Sequence, residues 1–265
     1  MKVCVIGDAC IDVYHTGDTS RKNPEASTPL LNNVKTTKKN GMALNVAENM
    51  SKLGAHVEVI IPRGNLIEKH RYIDQKHGNQ YLRVDYDIPY KRINVLPDLK
   101  KYHAVLVCDY NKGFLTKADI IALSQHKNVY IDTKKKDLRG SGDALFKINE
   151  HEYNGLIHEP KNFIVTYGAQ GAFYDGILYK AEALEAVDVC GAGDTFLAAL
   201  AFSRSKSNTM DKAIKFANLC AGITCTKRGT YAPTNKEVYS RHRWNNLHTD
   251  KERLFKCTTD KGSNK

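Results

Sequence analysis

The chain has 265 residues, 42% of them hydrophobic, and a formal net charge of +11. That apolar share builds one large core or two small ones and excludes a disordered chain. The basic balance points to anionic partners, and charge alone does not choose among nucleotides, sugar phosphates and nucleic acid.

In chain order, residues 2–6 (Lys-Val-Cys-Val-Ile) read as a buried strand closed by the turn Gly7-Asp8. The stretch from Tyr14 to Asn40 is polar and holds Pro24 and Pro29, so it reads as a flap of short exposed strands rather than core. Met42, Val46, Met50 and Leu53 recur at helical spacing, which predicts an amphipathic helix over 41–53 capped by Gly54. Residues 56–61 return to strand, and 81–86 alternate as a half-exposed strand does. The runs 104–108, 129–131 and 163–165 are short, apolar and β-rich, as parallel central strands are. Helices are predicted over 117–125, from about Gly193 through Ala201, and over 210–226. Strand and helix alternate, so the class is α/β with a mainly parallel sheet. In such sheets the functional residues lie at the carboxyl ends of strands, where Asp109, Asp132 and Thr166 fall.

Seven cysteines without Cys-x-x-Cys spacing predict neither zinc nor a disulfide framework. Cys4, Cys10, Cys108 and Cys190 lie in or beside apolar runs, where a thiol packs as a small hydrophobe, and a reducing cytoplasm follows. The opening apolar strand argues against a signal peptide, and no apolar stretch approaches about 18 residues, so no membrane association is expected. His15 and His151 read as polar surface residues, and 240–265 as a charged tail.

The strongest chemical signal is Gly191-Ala192-Gly193-Asp194-Thr195 at the start of a helix. Two glycines let successive N–H groups converge at the positive end of the helix dipole, which holds an anion. An aspartate closing that loop is placed to take a proton from a hydroxyl beside the anion, the geometry of phosphoryl transfer to an alcohol. The alternative is an ordinary glycine-rich strand-to-helix turn.

Asp188-x-x-Gly-Ala-Gly-Asp194 resembles the carboxyl-side signature of the ribokinase-like (PfkB) carbohydrate kinases, and the chain before it resembles the kinase part of the bacterial D-glycero-β-D-manno-heptose-7-phosphate kinases. The ordered series that carries the resemblance runs over residues 2–239. It includes Gly7-Asp8-Ala-Cys-Ile-Asp12, Ser20-Arg21, Arg83-Val-Asp85, Asp109-Tyr-Asn-Lys-Gly113, Asp132-Thr-Lys134, Asn149-Glu-His-Glu152, Val165-Thr166 and Phe216-Ala-Asn218. The resemblance implies a three-layer α/β/α sandwich over 1–239 with 13–40 as a substrate lid. It also implies ATP-dependent phosphorylation of a sugar or sugar phosphate with magnesium.

By the same resemblance, Asp194 is the catalytic base, and Gly191, Ala192 and Gly193 hold the transferring phosphoryl group. Asp12, Gly41, Asn45 and Asp109 meet the sugar, with Lys112 and Arg21 as candidates for a phosphate already on it; Lys134 is a further basic candidate. Asn149, Thr166, Gly168, Gly171 and Asn218 meet the nucleotide, Glu152 positions magnesium through water, and Asp188 lies near a monovalent cation such as potassium. The expected partners are small molecules and a second copy of the chain, paired through exposed lid edges.

Departures are visible. Met42 stands at the second glycine of the family's Gly-Gly pair, a strand–helix–strand portion is skipped between Asn65 and Lys69, and a helix is missing between Glu152 and Phe163. The His-x-Gly-His motif of the family's adenylyltransferase domain does not occur. A nucleoside kinase of the same fold and a non-catalytic nucleotide- or nucleic-acid-binding protein stay open as alternatives.

Overall fold

A computed structural model describes residues 1–241. Of the charged tail read over 240–265, residues 242–265 lie outside the described residues. The main sheet has eight strands in the order β12-β11-β10-β9-β8-β7-β1-β4. These are β1 (Lys2–Gly7), β4 (His56–Ile60), β7 (Ala104–Asp109), β8 (Val129–Thr133), β9 (Leu145–Asn149), β10 (Phe163–Thr166), β11 (Gly171–Tyr174) and β12 (Ile177–Lys180). The six from β4 to β10 pair in parallel, and β11 and β12 add an antiparallel hairpin at one edge. Among the described residues the helices include α1 (Ala43–Lys52), α2 (Lys117–Leu123), α3 (Glu150–Asn154), α4 (Ala192–Ser205) and α5 (Met210–Cys225), and 235–241 are helical as well.

The period of a strand divides the core. Val3, Val5, Ala104 and Leu106 face one side and pack with α1, α4 and α5; Cys4, Ile6, Val105 and Val107 face the other and pack with Ile120 and Leu123 of α2. Both faces are therefore covered, as a parallel sheet requires, and the three-layer reading holds.

A second sheet of four strands, in the order β3-β2-β5-β6, consists of β2 (Ala9–Asp18), β3 (Asn32–Met42), β5 (Ile67–Asp74) and β6 (Gln80–Tyr86). It reaches well beyond the 13–40 segment expected as the lid, beginning at Ala9 and taking in 67–86. Within 14–40 the short exposed strands resolve into the second half of β2, a bent loop over 19–31 without strand, and the long edge strand β3; Tyr14 is buried rather than exposed. β6 is exposed along most of its length instead of alternating. His15 is half-buried and shares a 2.8 Å hydrogen bond with His70.

Gly41 and Met42 belong to β3, so the helix predicted over 41–53 begins at Ala43. Met42 carries φ of 54° and ψ of −130°, a left-handed backbone that strains any residue with a Cβ. A glycine at this position would adopt the same backbone without that strain. Only residues 61–66 separate β4 from β5, and α3 spans a single turn before the chain runs on to β10, the two places where segments were expected to be missing. Among the described residues six cysteines are free, and no helix is long and apolar enough to cross a membrane.

Candidate active site

Asp194 lies in the first turn of α4, whose N-cap Gly191 has φ of 79°. A Cβ at Gly191 would sit 2.8 Å from Asn45 Nδ2 and 3.1 Å from Thr230 Cγ2, so the turn needs glycine for its backbone and for its neighbours. A Cβ at Gly193 would come within 2.9 Å of Lys147 Nζ. The first-turn N–H groups of this helix lack intrahelical partners and carry the positive end of its dipole.

The Asp194 carboxylate is buried and receives a donor on each oxygen. Tyr110 Oη donates to Oδ1 at 2.6 Å, and Asn45 Nδ2 donates to Oδ2 at 2.9 Å. Burial pushes its carboxyl above the ordinary aspartate range. The two hydrogen bonds and the Lys147 ammonium oppose that rise, and nearby Asp132 adds to it.

Tyr110 is held by the turn after β7. Asp8, buried at the end of β1, accepts the backbone N–H groups of Tyr110 at 2.8 Å, Lys112 at 3.0 Å and Phe114 at 3.4 Å. Asp109 accepts from Thr133 Oγ1 and from the Asn111 N–H, so the structure uses it to tie β7 to β8. The loop that carries Tyr110 is thus anchored by two buried carboxylates.

Behind the anion loop lies a charge cluster. Lys147 Nζ is 2.6 Å from Asp132 Oδ2, Lys134 is paired with Asp132 and Glu152, and Lys134 Nζ sits 4.9 Å from the centre of the Tyr110 ring. Asn149 and Glu152 form a capping box at α3: Asn149 Oδ1 accepts the Glu152 N–H at 2.8 Å and Glu152 Oε2 accepts the Asn149 N–H at 3.0 Å. Magnesium bound mainly by phosphates and water needs only one or two carboxylates. Glu152, half-buried and facing the cluster, fits that requirement through water. No group of three or more potential ligands occurs among the described residues.

The four-stranded sheet meets the loop from the other side. Arg71 Nη2 donates to Asp12 Oδ1 at 2.8 Å, and Arg71 Nη2 and Tyr14 Oη each lie 3.8 Å from Cys190 Sγ. Arg71 Nε is buried without a partner. A Cβ at Gly41 would fall 2.6 Å from Asp12 Oδ2, so this glycine leaves room for the aspartate. Asp188 accepts the N–H groups of Cys190 at 2.9 Å and Gly229 at 2.8 Å, and both of its oxygens pin the loop before Gly191.

The remaining predicted residues lie further out. Lys112 pairs with Asp87 at 2.6 Å, and Arg21 sits on the exposed loop between β2 and β3. Thr166 ends β10; Gly168 has φ of 55° with open space above it, while Gly171 has φ of 109° and would drive a Cβ to 2.1 Å from the Tyr179 carbonyl oxygen. Asn218 Nδ2 donates to that same carbonyl at 2.8 Å and lines a cavity of about 1180 Å³ with Lys180, Lys212 and Phe216. Asp12, Gly41, Asn45 and the Gly191–Asp194 loop thus come together, and Asn149, Glu152 and Lys134 flank them through Asp132 and Lys147. Sequence reasoning missed Tyr110, Arg71 and Lys147. The first stood inside a quoted motif, Lys147 is a single charge within β9, and Arg71 stands among the charged residues of β5.

The description "pfkB family carbohydrate kinase" matches residues 103–237. The bifunctional protein HldE of Aliarcobacter butzleri is 30% identical, over 89% of this chain and 63% of that protein. The HldE of Nitratiruptor sp. is 28% identical, over 89% and 64%. The chain therefore spans less than two thirds of the length of these relatives. Among solved structures, a putative ribokinase from Agrobacterium tumefaciens superposes with a TM-score of 0.70 at 19% identity, covering 92% of this chain and 97% of its own. Arabidopsis thaliana ribokinase, solved with ribose and ATP, superposes with a TM-score of 0.66 at 18% identity, covering 90% and 97%. At those identities the likeness is one of fold.

Proposed function

We propose, because this chain belongs to the pfkB family of carbohydrate kinases, that it moves the γ-phosphoryl group of ATP to a hydroxyl of a sugar or sugar phosphate, with a heptose 7-phosphate-like acceptor favoured. The observation that carries this reading is the buried Asp194 carboxylate at the N-terminus of α4, one residue after Gly193. The acceptor hydroxyl gives its proton to Asp194, its oxygen bonds to the γ-phosphorus, and the bond from that phosphorus to the bridging oxygen breaks, releasing ADP. The Gly191–Gly193 amides offset charge on the transferring group, where fixed dipoles act most strongly in a dry site. When bound, magnesium would be held by Glu152 through water and would neutralise phosphate charge.

In this reading Asp12, Gly41, Asn45 and Asp109 shape the sugar site, with Lys112, Arg21 and Lys134 supplying positive charge around it. Asn149, Thr166, Gly168, Gly171 and Asn218 border the nucleotide. Residues 1–239 act as the kinase domain, in the cytoplasm, and the exposed edge strand β3 supports a dimer through the lid.

The test is ADP release with ATP and magnesium against a panel of free and phosphorylated pentoses, hexoses and heptoses, with nucleosides included. A phosphorylated heptose is expected to give the highest kcat/KM, and Asp194→Asn to abolish turnover in a folded protein. Full activity of that variant overturns the assignment of the base, and a nucleoside as best acceptor overturns the substrate class. Light scattering at micromolar concentration checks the dimer.

A further inference from the structure

The Tyr110–Asp194 hydrogen bond joins residues 84 positions apart, the aspartate buried and the tyrosine half-buried. We propose that Tyr110 is a positioning residue of the phosphotransfer, holding the Asp194 carboxylate in plane and in its ionised, proton-accepting form. The inference rests on the kinase reading above and goes further by giving the base a dedicated donor.

Three observations carry it. First, Tyr110 is not placed by packing alone: its backbone N–H is fixed on Asp8 Oδ2 at 2.8 Å, so the ring enters from an anchored turn. Second, the two donors on Asp194 lie on different oxygens, Tyr110 on Oδ1 and Asn45 on Oδ2. Each oxygen keeps a second lone pair, so the carboxylate is held in orientation and is still able to accept a hydroxyl proton. Third, the hydroxyl that donates is itself kept protonated. Burial pushes the Tyr110 phenol far above its ordinary range, and the neighbouring Asp194 and Asp132 carboxylates push the same way. The phenol is thus a fixed donor and not a second base.

The groups facing Asp194 are Cys10 from β2, Cys108 from β7, Tyr110 after β7, Asp132 from β8 and Lys147 from β9, with the neutral amide of Asn45 from α1. The cysteine thiols are pushed up by burial and stay neutral. Asp132 is spent on Lys147 and Lys134. Tyr110 and Asn45 are therefore the direct donors that counter the cost of burying the ionised base.

The test compares wild type and Tyr110→Phe by the pH profile of kcat/KM and, independently of turnover, by the pH titration of the Asp194 side-chain carbonyl in protein labelled with 13C-aspartate, assigned through Asp194→Asn. In Tyr110→Phe the carboxyl titration and the acidic limb of the profile move to higher pH. At neutral pH kcat falls roughly tenfold to a hundredfold while acceptor KM stays within about threefold, as expected for the loss of one hydrogen bond to a charged group.

Should the variant fail to fold, 3-fluorotyrosine installed at position 110 keeps the ring and strengthens the donor, and the carboxyl titration and the acidic limb then move to lower pH. An unmoved Asp194 titration in the folded variants overturns the proposal. A protein whose Asp194 titration moves as described, but which phosphorylates no acceptor in the panel, supports the donor and overturns the kinase reading instead.

Discussion

Lys147 Nζ and Asp132 Oδ2 stand 2.6 Å apart, and each side chain is 4% exposed. Burial alone would raise the Asp132 carboxyl, but the Lys147 and Lys134 ammonium groups outweigh that cost and hold it below the ordinary aspartate range. Removing one partner of a buried pair costs about 3–5 kcal/mol when the other charge is left alone, and here the partly exposed Lys134, 3.1 Å from Asp132 Oδ1, offsets part of that cost. Lys147→Met should lose stability toward the lower end of that range, about 3 kcal/mol, in urea unfolding.

The pH dependence has a definite sign. A depressed folded pKa contributes stability that is present above the unfolded value, near 3.9, and is lost as pH falls through the folded one. Wild type therefore loses this contribution only in strong acid, and Lys147→Met should begin to lose it at higher pH. Circular dichroism through an acid titration reads the difference.

How much of this was legible in the sequence depended on whether a residue's partner was local. The strands β7, β8 and β10 showed themselves because both faces are buried and the run is continuously apolar, as in Ala104–Asp109. β9 escaped because Lys147 interrupts Leu145–Asn149; only its pairing with Asp132, 15 residues earlier, makes that lysine a core residue. β5 escaped as well, since Glu68, Lys69, His70 and Arg71 interrupt any apolar pattern and their partners are distant in sequence, Asp12 for Arg71 and Lys38 for Glu68. The Gly191–Asp194 loop is legible because its requirement is carried by adjacent residues. Tyr110 is not, because its meaning lies 84 residues away.

Met42 gives a prediction against the usual order of side chains. It is 3% exposed and packs in the second core cluster, yet its φ of 54° with ψ of −130° belongs to glycine. Removing its side chain costs about 2–5 kcal/mol, and relieving the backbone returns about 1–3 kcal/mol. Met42→Ala keeps the strain and loses the packing, whereas Met42→Gly loses the packing and relieves the strain. Met42→Gly should therefore be the more stable of the two by about 1–2 kcal/mol in chemical denaturation, the reverse of what extended backbone elsewhere shows.

Glu152 separates a helix cap from a metal-positioning role. Glu152→Gln keeps an amide oxygen for the Asn149 N–H, so the capping box survives, but it removes the negative charge facing Lys134. Thermal stability should change by under about 1 kcal/mol, because Lys134 retains Asp132 as a partner and is itself partly exposed. The magnesium concentration for half-maximal turnover should rise roughly tenfold. An unchanged magnesium dependence would confine Glu152 to the cap.

Asp194→Asn should stabilise the protein that it inactivates. The folded-state pKa of Asp194 is raised, first by burial and then by Asp132, in spite of Tyr110, Asn45 and Lys147. A raised carboxyl pKa means that the folded state holds the proton more tightly than the unfolded chain. Stability is then greatest below the unfolded value and declines as pH rises through the folded one. At neutral pH the ionised carboxylate is a standing cost, which a neutral side chain of the same shape removes. One of its two donors then faces an amide N–H in place of an oxygen, which limits the gain to about 1 kcal/mol. The expected outcome is a Tm above wild type at pH 8, a difference that shrinks toward pH 4, and no turnover at either pH. A variant that is less stable than wild type at pH 8 would mean that the hydrogen bonds to the charged form outweigh its burial.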